Sequence, residues 1–261
     1  MITICTTILD DCEDYLPIYL ESVTKRTSLV NEVLMAKADS PPSFNEEWTV
    51  GNISFKKFGT KEETRVQQGV EHGLGLHECI SRSSNEYLLF HDPDAFYYCN
   101  VDKIFYDLMD KYKLNVIGVS HCSAAKFAYT FFPCLYNLLV RKSELPDKTW
   151  LHNEIRDEGV GAIRNGKFLI RTENPKYHHL FPKPDGDFDT GSFLCLWAKQ
   201  QNWRWLSFQT IDVHNYTTKY NRGNIITEKF GNDKLLYHAT SSTAGNPITL
   251  KEFKESWEKS L

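Results

Sequence analysis

The chain has 261 residues, a formal charge of −4 and a pI near 6.1, with 41% hydrophobic and 25% charged residues. That balance excludes a disordered chain and leaves room for one large domain or two small ones, each able to bury a core. The mild acidity argues against sequence-independent nucleic-acid binding, which needs a net basic face.

Strand-like and helix-like stretches alternate from the first residue. Ile2–Leu9 is β-branched and apolar, and Asp10-Asp11 supplies turn and cap chemistry. Leu16, Tyr19, Leu20 and Val23 have helical spacing within Tyr15–Val23. Glu32–Ala38 reads as a strand ending at Asp39, before the breaker Ser40-Pro41-Pro42. Ile53–Phe58 is a third strand, Val70–Ile80 a helix despite Gly73 and Gly75, and Glu86–His91 a fourth strand. Ile104, Phe105, Leu108 and Met109 predict a helix over Val101–Tyr112, and Val116–Ser120 a fifth strand. This alternation argues an α/β fold with a largely parallel sheet.

The second half is less regular. Asn137–Arg141 reads as a strand, and Asn174–Asp187, with Pro175, Pro182, Pro184 and Gly186, as an irregular connection. A helix is expected over Thr190–Gln201, then strands Trp203–Phe208 and Leu235–His238. Thr249-Leu250-Lys251-Glu252 is a capping box opening a final helix. No linker separates independent domains. The expectation is one domain over residues 1–261, with a nucleotide-type first half (1–120) and an elaborated second half (121–261).

Seven cysteines, an odd number with no C-x-x-C pair, give neither a disulfide framework nor a cysteine zinc site, and a reducing cytoplasm is the expected setting. Met1-Ile2-Thr3-Ile4 lacks the basic start of a signal peptide. The uncharged run Phe127–Val140 contains Thr130, Pro133 and Asn137 and falls short of the roughly 18 apolar residues of a membrane span.

The sharpest chemical feature is Leu88-Leu89-Phe90-His91-Asp92-Pro93-Asp94. An apolar run delivers two carboxylates at its C-terminal end, where ligand sites lie in open α/β sheets. Pro93 stiffens the turn and holds Asp92 extended. Two carboxylates so close repel unless a cation joins them, and Mg²⁺ or Mn²⁺ bridging a diphosphate is the natural occupant. A plain polar turn is the competing reading.

Gly186-Asp187-Phe188-Asp189-Thr190-Gly191 precedes an apolar helix. A carboxylate at a helix N-terminus stays ionised, as a general base must. Asp189 also fits a plain N-cap, and Asp187 competes for the same role. Lys61, Arg65 and Lys126 are candidates to counter diphosphate charge, with Arg65 preferred for its planar fork.

His72-Gly73-Leu74-Gly75-Leu76-His77-Glu78-Cys79, then Asn85-Glu86-Tyr87-Leu88-Leu89-Phe90 and Asp92-Pro93-Asp94, resembles the helix–strand–DxD segment of GT-A-fold glycosyltransferases, nearest the family 2 type. The likeness covers roughly Met1–Asp94 and thins afterwards. It implies a GT-A-like domain with a mostly parallel central sheet and a metal-dependent sugar transfer from a nucleotide-sugar donor, UDP-linked by expectation, to an acceptor hydroxyl. It also implies an acceptor-side half over residues 121–261 in which an acid at the start of a helix is the base, a place Asp189 matches, and inversion follows if Asp189 is that base. By the same resemblance Thr6 and Asp39 touch the nucleoside, Asp92 and Asp94 hold the metal with Asp92 also on the donor, and His238, beyond a short C-terminal strand, is a further metal or diphosphate ligand. His238 also fits an ordinary core histidine.

The acceptor is not legible: glycan, lipid-linked sugar, protein and modified DNA base stay open, and a cytoplasmic bacterial or viral enzyme fits the composition. A nucleotidyltransferase or diphosphate hydrolase would use the same acid pair, but the first loop, Asp10-Asp11-Cys12-Glu13-Asp14, lacks the glycines of a phosphate loop. A non-catalytic nucleotide-sugar or glycan-binding module is the other alternative. Gln201-Asn202-Trp203-Arg204-Trp205 matches the Q-x-x-R-W pattern of processive synthases and reads as coincidence, because such synthases carry membrane spans.

Overall fold

The computed structural model describes residues 1–8, 13, 15–38, 40–60, 68–120, 132–133, 135, 137–146, 161–164, 167–170, 187–188, 192–217, 222–230 and 233–240, some of them by backbone alone. Within them the strands are β1 (Ile2–Ile8), β2 (Val30–Lys37), β3 (Asn45–Val50), β4 (Ile53–Gly59), β5 (Tyr87–His91), β6 (Ala95–Tyr97), β7 (Val116–Ser120), β8 (Asn137–Arg141), β9 (Gly161–Arg164), β10 (Lys167–Ile170), β11 (Asp187–Phe188), β12 (Trp205–Thr217), β13 (Arg222–Phe230) and β14 (Asp233–Thr240). The helices are α1 (Leu16–Arg26), α2 (Gln68–Arg82), α3 (Val101–Tyr112) and α4 (Ser192–Gln200).

Eleven strands form one sheet in the order β3-β4-β2-β1-β5-β8-β7-β12-β13-β14-β6. β4, β2, β1 and β5 are parallel neighbours. β8 is inserted antiparallel between β5 and β7, and β7 is parallel to β12. Six strands of this central region therefore point one way, which is the expected α/β class with a mostly parallel central sheet. Beyond them β12, β13, β14 and β6 run antiparallel. β12 joins the two regions: Trp205–Gln209 pair with β7, and the strand then continues along β13.

The core lies on both faces of the central strands. Every residue of β1 is buried, and Leu88, Leu89 and Phe90 of β5 are fully enclosed. Each such side chain contributes roughly 1.5–3 kcal/mol of hydrophobic stabilisation. Continuous apolar runs are what strands covered on two sides require.

Helix α2 runs antiparallel to β1 and is docked along its length. Thr7 Oγ1 donates to the His72 carbonyl at 3.0 Å, Cys79 Sγ donates to the carbonyls of Thr6 (3.6 Å) and Leu34 (3.4 Å), and Ser83 Oγ donates to Thr3 Oγ1 at 2.8 Å. Eleven helical residues rise about 16 Å while four strand residues span about 13 Å, so the two elements stay in step. Gly75 makes the closest approach: a Cβ there would lie 2.6 Å from Thr7 Oγ1 and 3.0 Å from the Ala36 Cβ.

Several elements depart from the sequence expectation. β3, an exposed edge strand, and β6, β9, β10 and β13 carry little apolar alternation and were not legible as strands. β12 extends nine residues past the expected end at Phe208, because β13 supplies a pairing partner that local composition does not announce. Of the irregular stretch expected over Asn174–Asp187, only Asp187 is described, in β11 pairing with β10. The capping-box helix at Thr249 lies outside the described residues.

Candidate active site at the ends of the parallel strands

β5 runs between β1 and β8, and its last residue, His91, is buried. The chain then turns at Asp92-Pro93-Asp94 and continues as β6, the turn closed by Ala95 N–H donating to the Asp92 carbonyl at 3.1 Å. Pro93 occupies the second turn position, where its fixed φ is an advantage. The same carbonyl lies 2.9 Å from His91 Nδ1. A carbonyl can only accept, so this contact places the proton on Nδ1. Asp92 and Asp94 thus belong to a tight turn rather than a straight strand, and their environments differ: the Asp92 side chain is 28% exposed, whereas Asp94 is 5% exposed.

Strand alternation divides the surroundings of this turn between two faces. In the β5–β8 register His91 is opposite Asn137, and the parallel β1–β5 register carries on to place Thr6 beside His91. His91 packs against Tyr19 of α1 (ring centroids 5.4 Å apart) and Tyr97 of β6 (4.3 Å). Burial pushes both phenols well above the ordinary tyrosine range. Among the described residues the Asn137 amide and the Tyr97 hydroxyl are buried without a hydrogen bond, while the Thr6 side chain faces the Tyr19 hydroxyl. On the α2 face, His72 Nε2 lies 3.6 Å from Asp92 Oδ1.

One further strand borders the turn, and a charged group lies beyond β1. β6 pairs antiparallel with β14, and His238 is in register with Ala95, one residue past Asp94. At the ends of β2 and β4, Lys37 and Lys57 both donate to Glu13 Oε1 at 2.8 Å, under the ring of Phe44. The Lys37 ammonium first, and Lys57 with it, holds the Glu13 carboxyl below the usual glutamate range.

The structure places the expected site residues as follows. Asp92, Asp94 and the backbone of His238 come together at one turn. Thr6 sits at the C-terminal end of β1 but is fully buried, so in this arrangement its side chain does not reach solvent. Asp39, Arg65 and Asp189 lie outside the described residues, as do Lys61 and Lys126, and Asp187 is described by backbone only. Sequence reasoning missed His72, His91, Asn137 and the Glu13–Lys37–Lys57 group. His72 and His91 carried a signal, standing in the Gly-containing stretch that marks α2 and in the run that leads into the acid pair.

Among the described residues no three His, Cys, Asp or Glu side chains converge on one point. The donor chemistry still suits a hard divalent cation: two carboxylates two residues apart, one of them reachable from solvent, with an imidazole-bearing residue in register beside them. No helix among the described residues is long and apolar enough to cross a membrane.

No protein-family model and no curated protein matches the chain. Solved structures do. Residues 1–349 of S. aureus TarS in complex with UDP-GlcNAc match with a TM-score of 0.39 and 13% identity over 61% of this chain and 47% of that one. Glucosyl-3-phosphoglycerate synthase from Mycobacterium tuberculosis, in complex with phosphoglyceric acid, matches at 0.38 and 13% over 56% and 58%. The glycosyltransferase GlyE of Streptococcus pneumoniae TIGR4 matches at 0.41 and 11% over 78% and 44%. This chain spans about half the length of these neighbours.

Proposed function

We propose that this chain is a glycosyltransferase of GT-A type, nearest family 2, that uses a nucleotide-sugar donor. One observation carries the reading: a central parallel strand, β5, ends in the Asp92-Pro93-Asp94 turn, and β14 sets His238 in register with the next residue. Carboxylates at the C-terminal end of such a strand stand where open α/β sheets bind their ligands.

In this reading Asp92 and Asp94, with His238, would hold Mn²⁺ or Mg²⁺. The cation, when bound, neutralises charge on the departing diphosphate. Asp39 and the end of β1 that carries the enclosed Thr6 border the nucleoside, and Arg65 faces the diphosphate. Asp189 takes the proton from the acceptor hydroxyl as that oxygen bonds to the anomeric carbon and the bond to the diphosphate breaks, which inverts the configuration. Residues 121–261 then present the acceptor.

The test is calorimetry and thermal shift with UDP, with and without Mn²⁺. UDP is expected to bind and raise Tm only with the divalent ion present, and Asp94→Asn to abolish the effect. Equal stabilisation in the presence of a chelator overturns the metal-bridged donor. With the donor identified from a panel of nucleotide sugars, Asp189→Asn is expected to lower kcat on the order of 10²–10⁴-fold while donor binding survives. A variant within a few-fold of native moves the base to Asp187.

A further inference from the structure

We propose that His72 is a positioning residue for Asp92, and that the close approach of α2 to β1 at Gly75 exists to put it there; the role rests on the donor-site reading above. His72 lies one turn before Gly75 on α2, a spacing that brings both to one side of the helix. That side meets the end of β1. The Thr7 hydroxyl donates to the His72 carbonyl at 3.0 Å, and the space a Gly75 Cβ would need is taken by Thr7 Oγ1 at 2.6 Å and Thr7 Cγ2 at 2.8 Å. Helix and strand are therefore nearer than a side chain at position 75 permits.

The consequence appears at the neighbouring strand. β5 lies beside β1, and Asp92, the residue after its last, emerges on the α2 face. His72 Nε2 stands 3.6 Å from Asp92 Oδ1, with the two side chains 22% and 28% exposed. The separation is slightly beyond a direct hydrogen bond, as polar contacts of ligand-free active sites often are before they tighten. His72 addresses the Oδ1 oxygen of Asp92. Such an outer partner fixes the rotamer of a ligating carboxylate, and its removal typically weakens metal affinity by about 10–100-fold. Helix α2 is anchored further along by Cys79 and Ser83, so the imidazole is held by a rigid element rather than a loop.

The experiment measures Mn²⁺ binding by electron paramagnetic resonance and Mn²⁺-dependent UDP binding by calorimetry, independently of turnover. His72→Ala is expected to weaken both by about tenfold with little change in the Tm of the apo protein. His72→Gln, whose side-chain nitrogen reaches the position of Nε2, should recover most of the loss. In an Asp92→Asn background, which retains part of the metal affinity through Asp94, His72→Ala should add nothing further. Unchanged affinity in His72→Ala overturns the role, as does an equal loss in the Asp92→Asn background, which would mean His72 acts elsewhere. A native protein that binds neither Mn²⁺ nor Mn²⁺–UDP overturns the donor-site reading itself and this role with it, and that outcome is read from the native sample alone.

Discussion

Asp102 shows how one side chain can order a connection. It is fully buried in the first turn of α3, and its Oδ2 accepts from the backbone N–H groups of Ser28 (2.8 Å), Leu29 (2.6 Å) and Val30 (3.3 Å), the stretch that leads into β2. Asp102→Ala strands these donors and is expected to cost about 3 kcal/mol, a fall in Tm of roughly 6–10 °C by thermal melt. A fall under about 2 °C would mean that water replaces the carboxylate. The Glu13 carboxylate is more exposed, and its signature lies in pH rather than magnitude. Its pKa is lowered by the hydrogen bonds of Lys37 and Lys57. A lowered carboxylate contributes stability that is present above its unfolded-state pKa and lost as pH falls through the folded one. Native protein and Glu13→Gln should therefore differ in Tm at neutral pH and converge through the acid limb below the ordinary glutamate range. A difference that stays constant with pH would assign the effect to packing.

Among elements, α2 decides the geometry of the site. A Cβ at position 75 must displace either the short, β-branched Thr7 or the helix, so Gly75→Ala is expected to destabilise by about 1–3 kcal/mol in denaturant melts. It should weaken Mn²⁺ binding in the same direction as His72→Ala, whereas Gly51→Ala, in the β3–β4 turn, should affect stability alone. Gly51 has a φ of +59° with open space around its Cβ position, so the cost there is backbone strain. Elements whose formation is local were legible. The helix over Val101–Tyr112 and the strands Val116–Ser120 and Asn137–Arg141 have the boundaries their apolar spacing implies. β3 was not legible, because Asn45-Glu46-Glu47 has no buried face to alternate toward and is held by hydrogen bonding to β4. Helix α1 runs three residues past its expected end at Val23, and in its last turn the hydroxyls of Thr24 and Thr27 donate to the carbonyls of Leu20 and Val23.

At the scale of the whole molecule, burial is centred on β1, β5 and β8, with β3 at the exposed edge. Hydrogen exchange should follow that order, with the amides of β1, β5 and β8 slowest and those of β3 fastest. Protection of β3 equal to that of β5 would show that another chain covers the edge. Addition of Mn²⁺ and UDP should slow exchange at the Asp92–Tyr97 turn and in β14 together, since these two strands share a ladder beside the acids.

The sequence by itself determined the α/β class, most of the strands and helices that bury an apolar face, and the acid pair that follows β5. These are properties of periodicity and of neighbouring residues, which a chain carries before it folds. Only the tertiary structure decided that β8 enters antiparallel between β5 and β7, that His238 is in register with Ala95, and that His72 reaches Asp92. Each of these joins residues separated by 20 to more than 140 positions, and is fixed by strand order and helix docking. The differing exposure of Asp92 and Asp94 has the same origin. Adjacent acids in sequence look alike, and the fold alone assigns one to the α2 face and encloses the other.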